Sequence, residues 1–78
     1  MAQFELKERD LLGLIQEAIG HPDIQPVDFG LSGRVFVDHV IGRFEKAIDD
    51  YGSPQGCPEI IRKGYEALKQ LYPLHFRE

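Results

Sequence analysis

Along this chain, apolar side chains return every three or four residues in three separate stretches, and each stretch ends at a glycine or a proline. Such a period places the apolar residues on one face of an α-helix. In the first stretch, from about residue 6 to residue 19, Leu11, Leu14, Ile15 and Ala18 form the stripe, and Leu12 and Ile19 widen it. Glu5, Glu8 and Asp10 suit the positive end of this helix, and Glu5 stands one helical turn ahead of Arg9, where the two can pair. Gly20 offers a left-handed cap, and Pro22 blocks continuation.

Residues 21–31 hold two prolines and a glycine, but also Ile24, Val27, Phe29 and Leu31. A free linker has no use for four apolar side chains. The segment is therefore expected to be a packed loop, or a loop with a short extra helical turn near Pro26 to Phe29, that lays these side chains over the helical core.

The second stretch spans residues 33–51. Ser32 is placed to cap it, and Val37, Val40, Ile41, Phe44, Ile48 and Tyr51 recur at helical spacing. Arg34-Val35-Phe36-Val37 also suits the start of a strand, but no alternation survives beyond Asp38, so the longer period decides for helix. Gly52 supplies the stop, and Ser53-Pro54-Gln55-Gly56 reads as a turn. In the third stretch, residues 58–72, Pro58 suits the first helical position, where its missing N–H costs nothing. Ile61, Tyr65, Leu68 and Tyr72 make the stripe, flanked by Ile60, Ala67 and Leu71, and Glu59 pairs with Lys63 one turn on. Pro73 ends the helix, leaving residues 74–78 to fray or to dock through Phe76.

Three helices with one apolar stripe each must cover one another. The expected fold is all-α: a compact bundle of three main helices over residues 6–19, 33–51 and 58–72, forming one domain across residues 1–78. A chain of 78 residues has room for a single core and is marginally stable on its own. Its one cysteine, Cys57, has no second thiol in the chain to bridge to, so packing must hold the fold.

Composition narrows the function classes. The chain is 42% apolar and 28% charged, an ordinary globular balance. Its apolar runs fall far short of the roughly 20 residues that cross a bilayer, and the first residues lack the apolar stretch of a secretion signal, which predicts a cytoplasmic protein. A net charge of −4 argues against nucleic acid, whose phosphates reward the opposite sign.

Candidate chemistry is sparse. Cys57 stands near a helix start, where a thiol becomes more nucleophilic, but with no histidine at a recognisable motif spacing it is read as a capping or packing residue. His21, His39, His75 and Cys57 are too widely spaced for a paired zinc motif, so no metal is expected. Asp49 and Asp50 are adjacent on a helix and point about 100° apart, which suits a solvated face better than a shared acid site. No catalytic residue and no cofactor follow. Gly42 and Gly64 interrupt helix interiors at a cost of about 1 kcal/mol each relative to alanine. Gly64 lies on the apolar stripe, where two backbones can approach closely, whereas Gly42 lies nearer the polar face.

The surface is the better guide. Tyr51, Tyr65, Tyr72, Phe36 and Phe76 exceed what a core of this size must enclose, and tyrosine suits interfaces. Phe36, Tyr72 and Phe76 are therefore candidate binding residues. Taken in order, Gly33 to Ile41, the closure at Tyr51-Gly52 and the final helix from Glu59 through Leu68 to Pro73 resemble the C-terminal half of bacterial effector-associated, death-like domains. That resemblance implies a non-catalytic adaptor that pairs with another copy of itself or with an effector through charged helix faces, here Arg34, Asp38, Arg43, Glu45 and Asp49. The alternative expectation is an acidic inhibitor, such as a bacteriocin immunity or phage anti-defence protein, whose carboxylates meet a basic site on a nuclease or nucleoprotein complex.

Overall fold

The computed structural model describes residues 8–76, which form α1 (Glu8–Ile19), α2 (Gly33–Tyr51) and α3 (Glu59–Leu71). Two 3-10 turns follow α2 and α3, at Pro54–Gly56 and Pro73–Phe76. Among the described residues there is no strand, and the all-α three-helix bundle expected from the periodicity is the fold observed. The expected helix start near Leu6 and the Glu5–Arg9 pair lie outside the described residues.

The helix ends show how local chemistry places the elements. Gly20 does not take the expected left-handed conformation; among the described residues, positive φ is confined to Gly33 and Gly52. The chain leaves α1 through a bond from the His21 N–H to the Ala18 carbonyl, and the Gln25 side chain covers the Gly20 carbonyl. Ser32 is the residue before α2, but its hydroxyl makes no capping bond. The entry is set instead by Gly33, whose φ of 60° strains any residue with a Cβ. Gly52 (φ 87°) closes α2 by donating to the Asp49 carbonyl. Pro58 lies just outside α3, which begins at Glu59; its carbonyl accepts from the Ile61 and Arg62 N–H groups.

The core gathers Leu11, Ile15 and Ala18 from α1, Val40, Ile41, Phe44 and Ala47 from α2, and Ile61, Ala67 and Leu68 from α3, with Cys57 beneath the α2–α3 turn. Phe44 and Ile61 are fully enclosed, and burial of such side chains contributes about 1.5–3 kcal/mol each. The α3 stripe is rotated from the expected one. Gly64 and Ala67 lie at its centre, while Tyr65 and Tyr72 fall half-buried at its edges. The small residues explain the rotation: α1 settles directly on Gly64, and α3 consequently packs mainly against α1 and more sparingly against α2. Tyr51 likewise leaves the expected α2 stripe and is exposed.

The loop of residues 21–31 is packed, as its apolar content requires, with one turn over residues 21–25 and a second over residues 28–31, which overlaps the expected turn near Pro26 to Phe29. One turn closes when the Ile24 and Gln25 N–H groups donate to the His21 carbonyl, and the other when Leu31 donates to Asp28. Ile24 and Val27 are buried, whereas Phe29 is 71% exposed.

Candidate partner-binding surface

Three side chains of α2 fasten the loop. The Arg43 guanidinium donates from Nε to the Ile24 carbonyl at 3.0 Å and from Nη2 to the Gln25 carbonyl at 2.7 Å. One turn earlier on the same helix, His39 Nε2 accepts the Asp28 backbone N–H at 3.0 Å. At the far end of α2 the Tyr51 hydroxyl donates to the Asp23 carboxylate, which holds the phenol above its ordinary pKa. Helical spacing puts His39 and Arg43 on one side of α2, so a single helix face closes over successive polar groups of the loop.

A second set of contacts fastens the C-terminal turn to the opposite flank of α2. His75 Nδ1 lies 2.6 Å from the Asp38 carboxylate, and Phe76 meets the Tyr65 ring edge-on, with centroids 5.5 Å apart. The Tyr65 hydroxyl donates to Glu45 at 3.1 Å, and Lys69 lies over its ring. Burial, reinforced by the Glu45 charge and hydrogen bond, pushes Tyr65 up to about 12.

With the loop and the C-terminal turn held on its two flanks, α2 does not close against α1. An apolar groove of about 270 Å³ opens between them, lined by Leu12, Ile15, Gln16 and Ile19 of α1, Phe29 of the loop, Phe36, Val37 and Val40 of α2, Leu68 of α3, and Tyr72 just after it. Its lining continues past Gln16 and Ile19 into a second recess bounded by Gln25, Pro26 and Val27. The Phe29 and Phe36 rings, 5.9 Å apart between centroids, form one end of the wall.

The sequence-predicted binding residues are thus distributed over several surfaces. Phe36 and Tyr72 line the groove together. Arg43 is taken up by the loop, Asp38 by His75 and Glu45 by Tyr65, and Phe76 packs on Tyr65. Arg34 is exposed at the start of α2, and Asp49 borders a shallow recess with Glu45, Ile48 and Tyr65. The exposed or half-buried groove residues not expected from the sequence to bind a partner are Leu12, Gln16, Ile19, Phe29 and Val37, and the core residues Ile15, Val40 and Leu68 complete the lining. A signal for two of them was present, since Leu12 and Ile19 make the α1 stripe wider than one neighbouring helix can cover.

The residues weighed for chemistry do not converge. Cys57 is buried in the core cluster. His21 accepts the Asp23 N–H, His39 accepts from Asp28, and His75 contacts Asp38, each in a different part of the fold. Among the described residues, no three of His, Cys, Asp and Glu gather into a group that could hold a metal ion. No helix among them is long and apolar enough to cross a membrane. Compared with known proteins, the chain gives no significant match to any family model, curated protein or solved structure.

Proposed function

We propose that the chain is a non-catalytic, cytoplasmic protein-interaction module that seats an apolar helix of a protein partner in the groove between α1 and α2. One observation carries this reading: two helices of the bundle leave an apolar channel between them, floored by Leu68 of the third and by Tyr72, which follows it. From Leu12 to Ile19 the channel wall runs about 10 Å at 1.5 Å per residue, the length of two helical turns. A helix with aliphatic residues at i, i+3 or i+4, and i+7 matches that length and lining. Such an occupant would pack on α1 and α2 as a further helix, in keeping with the adaptor role implied by the resemblance to death-like domains.

The test presents the intact chain to a displayed library of short helical peptides. Selected peptides are expected to carry the aliphatic pattern, to bind with little dependence on salt, and to lose at least tenfold in affinity to a Leu12→Glu variant but not to Val35→Ser, which lies outside the groove. Acidic or basic peptides whose binding collapses with added salt and ignores Leu12→Glu would overturn the groove reading and favour the charge-driven inhibitor. Concentration-dependent association of the chain itself, reversed by Leu12→Glu in light scattering, would identify a second copy as the helix donor.

A further inference from the structure

We infer that His39 makes the groove acid-sensitive: protonation of its ring releases the loop segment that carries Phe29, one wall of the proposed docking site. The inference rests on the groove reading for its functional meaning, while its structural part stands on the loop alone. A backbone N–H can only donate, so the 3.0 Å contact from Asp28 to His39 Nε2 requires an unprotonated Nε2 and places the ring proton on Nδ1. Once Nε2 gains a proton, it becomes a donor facing another donor. The attraction is lost and a repulsion replaces it.

The consequence is confined to the residues after Val27, which stays buried in the core. Arg43 holds Ile24 and Gln25, ahead of Pro26. Beyond Pro26, the Asp28 carboxylate accepts from Gly30 at 2.9 Å and the Leu31 N–H donates to the Asp28 carbonyl, both within the loop itself. Among the described residues, the Asp28–His39 bond is the hydrogen bond that joins residues 26–31 to α2. Phe29 follows immediately and lines both recesses. It is 71% exposed, so burial contributes little to holding it in place.

Two charged groups belong to the elements that meet at the ring: the Asp28 carboxylate on the loop and Arg43, one turn along α2. Both are already engaged, the first by Gly30 and the second by two carbonyls. The backbone bond then decides the position of the loop: His39 neutral holds it against α2, and His39 charged lets it go. Acidification should therefore remove the Phe29 wall and weaken whatever apolar helix the groove receives.

The test needs no partner. In an isotope-labelled sample of the whole chain, NMR follows the His39 ring, the Asp28 amide and the Phe29–Phe36 contact as the pH is lowered from neutrality. The Asp28 protection factor is expected to fall roughly tenfold, in step with His39 protonation, as one hydrogen bond is lost. The Phe29–Phe36 contact should disappear over the same range. His39→Gln keeps an acceptor near the position of Nε2 and cannot be protonated, so its Asp28 amide should stay protected at both ends of the titration, while His21→Asn and His75→Asn should leave the transition in place. An Asp28 amide that stays protected while His39 titrates would overturn the inference, as would an unchanged acid transition in His39→Gln. If the loop releases as described but the selected helical peptides bind equally at both pH values, the docking reading fails and the acid-sensitive loop stands.

Discussion

Gly64 of α3 and Ala18 of α1 face each other so closely that a methyl group added to Gly64 would lie 2.6 Å from the Ala18 Cβ and 2.8 Å from the Phe44 ring. The bundle turns on this contact, because no residue larger than glycine fits between the two backbones. Gly64→Ala is expected to lose about 1–3 kcal/mol through overpacking, despite alanine's better helix propensity. Gly42 provides the contrast, with open space where its Cβ would be, and Gly42→Ala should gain up to about 1 kcal/mol. Denaturant unfolding of both variants measures the difference in sign. Restoring space with Ala18→Gly should recover part of the loss in the Gly64→Ala background.

Phe44 is fully enclosed at the same junction. Phe44→Asp would bury a charge with no partner, and it is expected to abolish the cooperative unfolding transition. A sigmoidal thermal transition in that variant would contradict the assigned α2 face.

Arg43 spans two consecutive loop carbonyls with two different nitrogens. Arg43→Ala should cost about 1–2 kcal/mol, discounted for its partial exposure. Arg43→Lys should recover little of it, since an ammonium lacks the planar fork. Amide exchange at Ile24 and Gln25, whose turn these bonds support, reports the loosening directly.

Tyr65 is raised from the ordinary phenol value of 10.0 to about 12. The folded state thus disfavours its phenolate, and the stability tied to this group is fully present below pH 10 and is lost as the pH rises toward 12. Phenolate absorbance during an alkaline titration should show a late step, and Tyr65→Phe should shrink it by one tyrosine, leaving Tyr51, which is also raised.

Much of the frame was legible in the sequence because helix periodicity reports burial directly. Leu11, Ile15 and Ala18, or Val40, Ile41 and Phe44, read the same from spacing as from packing. On α3 the inward position of Gly64 was legible as a close helix crossing, and the structure bears it out, but the half-buried edge positions of Tyr65 and Tyr72 were not, since spacing alone put them on the stripe. The loop was read correctly as packed, but which apolar side chains it buries depends on Arg43 and His39, whose partners are distant in sequence backbone groups. Spacing carries no record of such bonds. The groove was half visible: Leu12 and Ile19 marked a surplus of apolar surface, yet whether α2 would cover it depended on the ties that hold α2 elsewhere.

Gly64 of α3 meets the Ala18 side chain of α1 and the Phe44 ring of α2 in one tight junction, and polar side chains add further ties to α2, through Arg43, His39 and Tyr51 on one flank and Asp38 and Glu45 on the other. Tolerance to change is therefore divided unevenly over the molecule. The crossing admits almost no gain in volume, but on the outward strip of α2 the exposed positions Val35, Gly42 and Lys46 tolerate change. Descendants of this chain would diversify first along that strip, displaying new outer coats on an unchanged chassis.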